Sequence, residues 1–183
     1  MIAFVFLMGL MIILIIWVIR AYNKLVKLKT HMEESWSIVD VFLNKRYDLI
    51  PNLVETVKGF ATHEKDTLEN VILARNQSIG ARTVAEKAES ESIFTDALSR
   101  LMVVSEQYPQ LRANENFMYL QGELSSLERE IERSRRYFNA CVRDNNINIR
   151  TFPSNIVANM FNFNEGKFFE VAEPKREAPK VTF

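Results

Sequence analysis

The chain has few residues that break regular structure. Five glycines and five prolines in 183 residues are too few turn formers for a sandwich or barrel, so long helices are favoured. A single cysteine, Cys141, excludes an intramolecular disulfide, and the fold does not depend on an oxidising compartment. Cys141 lies between Phe138 and Val142 on an apolar stripe, which predicts a buried, inert thiol. Neither sign of charge is in excess, with 23 basic against 23 acidic residues. Nothing therefore predicts the basic footprint of a nucleic-acid binder. Two histidines, His31 and His63, exclude a three-histidine zinc site. Leu28 and Phe60 stand three residues before them, so the Glu-x-x-His pattern of carboxylate-bridged di-metal bundles is missing. His63-Glu64 lacks the second histidine that a zinc-protease helix needs. A polar contact near a helix face is the reading of both histidines. There is no glycine-rich phosphate loop and no motif that combines Ser, His and Asp. The expectation is a protein with no catalytic residues, no metal and no cofactor.

The most definite feature present is the N-terminal run MIAFVFLMGLMIILIIWVI, which carries no charged side chain. At roughly 1.5 Å per residue it reaches about 28 Å, close to the ~30 Å thickness of a hydrocarbon core. Trp17 falls where an interfacial aromatic is expected, and Arg20 follows it. A cleaved signal peptide would have a basic start and a small-x-small cleavage site. This segment has neither, so residues 1–19 are read as a retained transmembrane helix. Arg20, Lys24, Lys27 and Lys29 flank only its C-terminal side. The positive-inside rule then puts the N-terminus outside and the rest of the chain in the cytoplasm.

No glycine or proline interrupts Leu10 to Ile50, so the membrane helix is expected to continue past a charged stalk, residues 20–30. Leu25, Leu28, Met32, Trp36, Val39 and Phe42 recur at threes and fours. Inside NKRYDLIPNLVETVKGF, Pro51 interrupts the stripe. Proline lacks an amide hydrogen and collides with the carbonyl four residues back. The expectation is a sharp kink or short break near Tyr47–Pro51, with Asp48 capping a restarted helix. On this reading Asp48 and Asn52 are structural, and a partner-docking corner is the alternative. A second stripe runs from Ile50 through Leu53, Val57, Phe60, Leu68, Val71 and Ile72. SIGARTVAEKAESES (Ser78–Ser92) reads as a surface loop or frayed helix ends. A third helix carries Ile93, Phe94, Leu98, Leu101 and Val104 and stops at EQYPQLRANENF, where Pro109 forbids continuation. A fourth, nearly heptad-patterned helix follows from Phe117 to Ile149 and stops before Pro153. A short helix near Ser154–Met160 and an extended segment pinned by Phe161, Phe163, Phe168 and Phe169 are expected next. The last stretch, EPKREAPKVTF, reads as mobile. The fold class is all-α: a transmembrane helix, an antiparallel four-helix bundle over residues 31–160 and an aromatic tail over 161–183.

Three stretches together resemble the LemA family of bacterial membrane proteins. They are YNKLVKLKTHMEESWSIVDVFLNKRYDLIPNLVETVKGFATHEKDTLENVILAR, EQYPQLRANENFMYLQGELSSLEREIERSRRYFNACVRDNNINIRTFPSNIVANMF and the closing APKVTF. The resemblance covers nearly all of the chain after residue 20. DLIPNLVETVKG and RRYFN…N…FPSN are its most specific parts. Phe138 stands where the family usually has tyrosine. The resemblance implies a helical bundle behind one membrane helix in the bacterial inner membrane, with no established enzymatic activity. Relatives include proteins associated with magnetosome membranes. Members often occur beside a membrane zinc protease, which suggests a partner rather than a chemistry.

Two regions are candidates for binding a protein partner. Tyr108 and Arg112 flank the proline-ended corner, and loop corners on rigid scaffolds often carry function. Arg133, Arg135 and Arg136 cluster on one helix, and arginine is enriched at interfaces. The alternative is that these arginines are solvated or pair with Glu128, Glu130 and Glu132. Asn139 and Asn145 belong to an asparagine-rich run near the core. They are read as register-setting amides, or else as part of a polar groove for a peptide or lipid headgroup. Trp36, Pro51 and Pro153 are read as structural. The functional expectation is a membrane-anchored, non-catalytic scaffold or adaptor; the alternative is an accessory or substrate-presenting factor for a membrane zinc protease. Expected partners are the bilayer, through residues 1–19, and proteins such as a membrane protease or a second copy of the chain. No nucleic acid is expected.

Overall fold

The computed structural model describes residues 1–170. They form six helices and, among the described residues, no strand: α1 Ile2–Lys58, α2 Lys65–Gly80, α3 Val84–Ser105, α4 Pro109–Arg112, α5 Glu115–Arg150 and α6 Ser154–Met160. The stretch EPKREAPKVTF, expected to be mobile, lies outside the described residues. The chain divides into two compact units. One holds Met1–Val39 with Arg133–Phe168; the other holds Asp40–Glu132 with the described residues after Phe168.

The first unit is built where α1 leaves its apolar segment. Leu25, Ile149, Val157 and Ala158 form its buried cluster, with Trp17, Val18, Ala21 and Phe163 packed around them. Farther along α1, half-buried Trp36 meets buried Phe138 at 5.2 Å between ring centroids. Helix α6 ends in a hydrogen-bonded cap. Asn162 adopts φ 55°, its amide donates to the Asn159 carbonyl at 3.4 Å, and the Phe163 amide donates to the Ala158 carbonyl at 2.9 Å. This is a Schellman ending with asparagine in the left-handed position, which asparagine tolerates better than other side-chain-bearing residues.

In the second unit the interior is lined by Leu43, Ile50, Leu53, Val57, Val71, Phe94, Leu101, Leu111 and Phe117, all at most 1% exposed. Of the sharp kink or short break expected at Tyr47–Pro51, the break is absent: α1 is uninterrupted through Pro51 and ends at Lys58. Asp48 therefore caps nothing; Asp48, Pro51 and Asn52 all lie on the exposed face of a continuing helix. The physical reason is a substitute donor. Pro51 cannot donate to the carbonyl of Tyr47, four residues back, and Arg75 Nε of α2 donates to that oxygen at 2.7 Å. The chain turns at residues 59–64 instead, through amide bonds from Phe60 and Ala61 to the Val57 carbonyl.

The loop expected over Ser78–Ser92 shrinks to residues 81–83. Thr83 and Glu86 form a reciprocal capping box at the start of α3. The Thr83 side chain accepts from the Glu86 amide at 3.2 Å, and the Glu86 carboxylate accepts from the Thr83 amide at 3.1 Å. These backbone donors, from Arg82 first and then Thr83, hold the Glu86 carboxyl below its usual range. Helix α5 has a simpler cap, with the Phe117 amide donating to Asn114 Oδ1 at 3.0 Å. Cys141 is half-buried rather than fully buried, because it borders the stripe whose buried members are Phe138 and Val142.

The Arg75–Pro51 relationship is testable. In the full-length protein in detergent micelles, Arg75→Ala should cost about 1–3 kcal/mol by leaving the Tyr47 carbonyl unsatisfied. In a Pro51→Ala background a helical amide returns to that carbonyl, and the same change should cost markedly less. Equal costs in the two backgrounds, measured by urea denaturation, would show that Arg75 contributes by other contacts.

Candidate functional site

The densest polar chemistry lies inside the second unit. Arg46 occupies a core position of α1, in the series Val39, Leu43, Arg46, Ile50, Leu53 and Val57, and is 1% exposed. Its guanidinium pairs with buried Glu91 of α3 and with Glu128 of α5. It also lies 4.9 Å from the centre of the Phe94 ring, a cation–π arrangement. Tyr47 donates its hydroxyl to the same Glu91 carboxylate and meets Phe94 edge-on at 5.6 Å. Lys87, also buried, donates to the Ser78 carbonyl at 3.0 Å, lies 3.6 Å from Asp40 and sits 5.4 Å above the Tyr47 ring. Ser78 is in the last turn of α2, whose carbonyls lack helical donors, so the ammonium caps that helix end. Each buried charge faces its opposite, as desolvation requires. Burial pushes the Tyr47 phenol up to about 12, against the opposing pull of Arg46.

None of these core charges was singled out from the sequence. The signal was present: Arg46 stands on a stripe of core residues, and Glu91 begins the stripe Glu91, Phe94, Leu98 and Leu101. A charge at a core register position implies a buried partner. The capping signature Thr83-x-x-Glu86, which marks a helix start, would have placed Lys87 and Glu91 on α3.

The first unit contains a second polar device. Asn146 Nδ2 donates to the Gly166 carbonyl at 2.9 Å, and the Gly166 amide donates to Asn146 Oδ1 at 2.8 Å. A helix amide thereby pairs with both backbone groups of one extended residue. A Cβ at position 166 would collide with the Met32 sulfur and approach Val142 at 3.4 Å, so a larger residue there would have to push the Met32 side chain aside. Arg150 and Glu165 form a two-pronged exposed ion pair beside this clasp. It holds the Glu165 carboxyl below its usual range and the guanidinium above its own. Tyr22 is flanked by Phe161 at 4.8 Å and Phe163 at 5.7 Å. The clasp occupies the amides of Asn146 with the chain's own backbone. Adjacent Asn145 is buried and donates to Asn146 Oδ1 at 3.3 Å, and its own Oδ1 has no partner among the described residues. Asn139 is half-buried on the same helix.

The two candidate partner regions are separate. At the corner, Tyr108 is half-buried at the start of α4, and its hydroxyl donates to Glu64 at 3.2 Å. Burial first and then the Glu64 carboxylate raise its phenol above the usual value. Arg112 is exposed in the last turn of α4. On α5, Arg133 and Arg136 are exposed and Arg135 is half-buried. Pro153 is exposed and stands immediately before α6. His31 is exposed, with Nδ1 3.3 Å from Glu34, and His63 is exposed in the turn after α1. Among the described residues, no three of His, Cys, Asp and Glu come together as metal ligands.

Removing one member of the ionic core should be costly. Arg46→Met leaves Glu91 buried without its charge partner, and about 3–5 kcal/mol of stability should be lost in urea denaturation. The phenol adds a pH dependence. Its folded pKa lies above the ordinary value near 10, so the unfolded chain releases the proton first. Stability should be fully present below pH 10 and fall as pH rises toward about 12. Tyr47→Phe should flatten that fall.

A family model described as "LemA family" matches residues 35–183. Magnetosome protein MamQ 2 of Paramagnetospirillum magneticum is 22% identical over 187 residues, spanning 88% of this chain and 68% of the relative. Protein LemA of Metamycoplasma hominis is 23% identical over 155 residues, spanning 84% of this chain and 71% of that protein. The matched model includes the core positions Arg46, Tyr47 and Glu91, the clasp residues Asn146 and Gly166, and both candidate partner regions, and the chain belongs to the LemA family.

Proposed function

We propose that this protein is a membrane-anchored, non-catalytic scaffold of the bacterial inner membrane, with a four-helix bundle built from long helices as its working part and an aromatic tail fastened to it. The observation that carries this reading is the course of α1. It begins as a helix long and apolar enough to cross a membrane and continues without interruption to Lys58. At its far end, Arg46 and Tyr47 bind side chains of α3 and α5, and the Tyr47 carbonyl binds Arg75 of α2. The helix that carries the apolar segment thus also supplies Arg46 and Tyr47 to the second unit. The buried charges are matched to one another, which suits a structural part better than a reacting centre, where a charge is kept for the substrate. Residues 1–19 would be the span, 20–30 the stalk, 31–160 the bundle and 161–183 the tail.

The partner is a protein, held at the corner of Tyr108 and Arg112 or on the α5 face of Arg133, Arg135 and Arg136. Relatives of the chain are named as magnetosome proteins, which supports a role within a larger assembly. The basic flank of the apolar segment supports a cytoplasmic bundle. A protease added outside intact spheroplasts should therefore leave the bundle uncut; digestion without lysis would reverse the orientation.

Charge reversal tests the partner face. Arg133→Glu with Arg136→Glu should abolish specific crosslinks formed in native membranes, identified by mass spectrometry, while helicity stays the same. If crosslinks and helicity are both unchanged, the arginine face is only a solvated surface. The reading of an accessory to a membrane protease predicts that a protease subunit is among the crosslinked proteins.

A further inference from the structure

Burial on α1 begins at Trp17. The residues before it are exposed apart from half-buried Gly9, whereas Trp17 and Val18 are partly covered and Leu25 is fully buried. What covers them is the end of α5 and helix α6, through Ile149, Val157 and Ala158. Trp17 to Leu25 covers about 12 Å of helix axis at 1.5 Å per residue. That is comparable with the polar layer on one side of a bilayer, about 5–7 Å, plus the first turn beyond it. Helix α6 therefore lies along α1 at the level where the apolar segment meets the headgroups.

Only one side of α6 is used in this packing. Val157 and Ala158 face the cluster. The other side presents Ile156 at 50% and Met160 at 63% exposure, preceded by Phe152 at 75%. Ile156 and Met160 share the four-residue spacing of a single helical face, and Phe152 lies in the turn just before α6. No charged residue occurs from Thr151 to Asn164. Beside this apolar face, Arg20 and Lys24 line a recess of about 340 Å³ together with Asn148, Thr151 and Ser154. The first acidic residue of the chain is Glu33. Arg150, at the end of α5, is occupied by Glu165. An uncharged apolar ridge next to Arg20 and Lys24, which have no acidic partner among the described residues, is complementary to an anionic bilayer surface, with the ridge directed to the acyl boundary and the cations to lipid phosphates.

We propose that Phe152 and the Ile156–Met160 face of α6 form an interfacial foot, which inserts into the headgroup layer of the membrane that α1 crosses. The occupant of this surface is lipid. The foot gives the anchor a second point of attachment and sets the tilt and rotation of α1, as interfacial anchors do for membrane helices. The proposal rests on the reading of residues 1–19 as a membrane span.

Single-tryptophan variants of the full-length protein, reconstituted in vesicles of phosphatidylcholine and phosphatidylglycerol with brominated lipids, test it. Trp36→Phe leaves Trp17 as the reporter of the span. In a background of Trp17→Phe and Trp36→Phe, Ile156→Trp and Met160→Trp each report the foot, and Ile38→Trp reports an exposed site about 28 Å farther along α1 than Ile19. Trp17, and tryptophan at 156 and 160, should be quenched with blue-shifted emission, as for side chains about 5–10 Å into the boundary. Tryptophan at 38 should keep water-like, unquenched emission. Quenching of Trp17 with water-like emission at both 156 and 160 overturns the foot and leaves the span standing. An unquenched Trp17 overturns the span and the foot together. Equal quenching at 38, 156 and 160 shows general adsorption to lipid and also overturns the foot. Two foot positions, with helicity checked for each, guard against one substitution disturbing α6.

Discussion

The ion pair between Arg46 and Glu91 is the constraint on which the second unit depends. A guanidinium taken out of water costs several kcal/mol unless it is met by opposite charge and hydrogen bonds. Arg46 is met by two carboxylates on two other helices and by the face of Phe94. Glu91 is met in turn by the Tyr47 hydroxyl. A slip of α1 against α3 by one turn would strand both charges in apolar surroundings. The pair therefore selects one register among several that apolar packing alone would tolerate. Lys87 adds a link of the same kind by capping the end of α2. Tyr47 takes part twice, with its hydroxyl on Glu91 and its carbonyl accepting from Arg75. That carbonyl is available only because Pro51 has no hydrogen to give it.

Much of the helical outline was legible because apolar periodicity and helix breakers are local signals. The long first helix, the stop before Pro109 and the short helix from Ser154 to Met160 all follow from them. Pro51 does not break α1, for a definite reason. Its local penalty is real, but it is offset by Arg75, a residue 24 positions away in sequence whose approach no local pattern announces. The stretch from Ser78 to Ser92 is likewise more helical than its sequence suggested. Its charges suggested solvent, yet Lys87 and Glu91 are buried because each has a partner on another helix. The asparagine run was read as a device for register or for binding a ligand. That reading rested on Asn139 and Asn145; their neighbour Asn146 holds the chain's own backbone at Gly166, a pairing that joins positions 20 residues apart. Tyr108, Arg112 and the α5 arginines were placed by their character as interface residues; Arg112, Arg133 and Arg136 are exposed, while Tyr108 and Arg135 are half-buried.

The two units divide the physical tasks. In the second, charge is turned inward and satisfied internally, which gives a specific and well-ordered core. In the first, apolar surface is left outward at Phe152, Ile156 and Met160, near Arg20 and Lys24. Solvent-facing apolar side chains of this size so close together call for a partner, and the interfacial foot proposed for them takes the bilayer as that partner. The extended segment after α6 is held at three kinds of contact: the Asn146 clasp, the Arg150–Glu165 pair and the aromatic edges on Tyr22. Each is modest alone. Together they hold the segment against α1 and α5.

The buried charges set the register in which the helices of the second unit pack. The direct measurement is to replace the whole ionic cluster by apolar side chains of similar size, with Arg46→Met, Tyr47→Phe, Glu91→Leu and Glu128→Leu together. Exchange of a complete buried ion cluster for well-packed apolar residues is often neutral, or stabilising by about 1–4 kcal/mol. The variant should stay helical and melt no lower than the parent but lose its single register, so that cysteine pairs placed across α1 and α3 crosslink in more than one alignment. Crosslinking of the variant in the parent's alignment alone would contradict this, and would show that apolar packing sets the register without the charges.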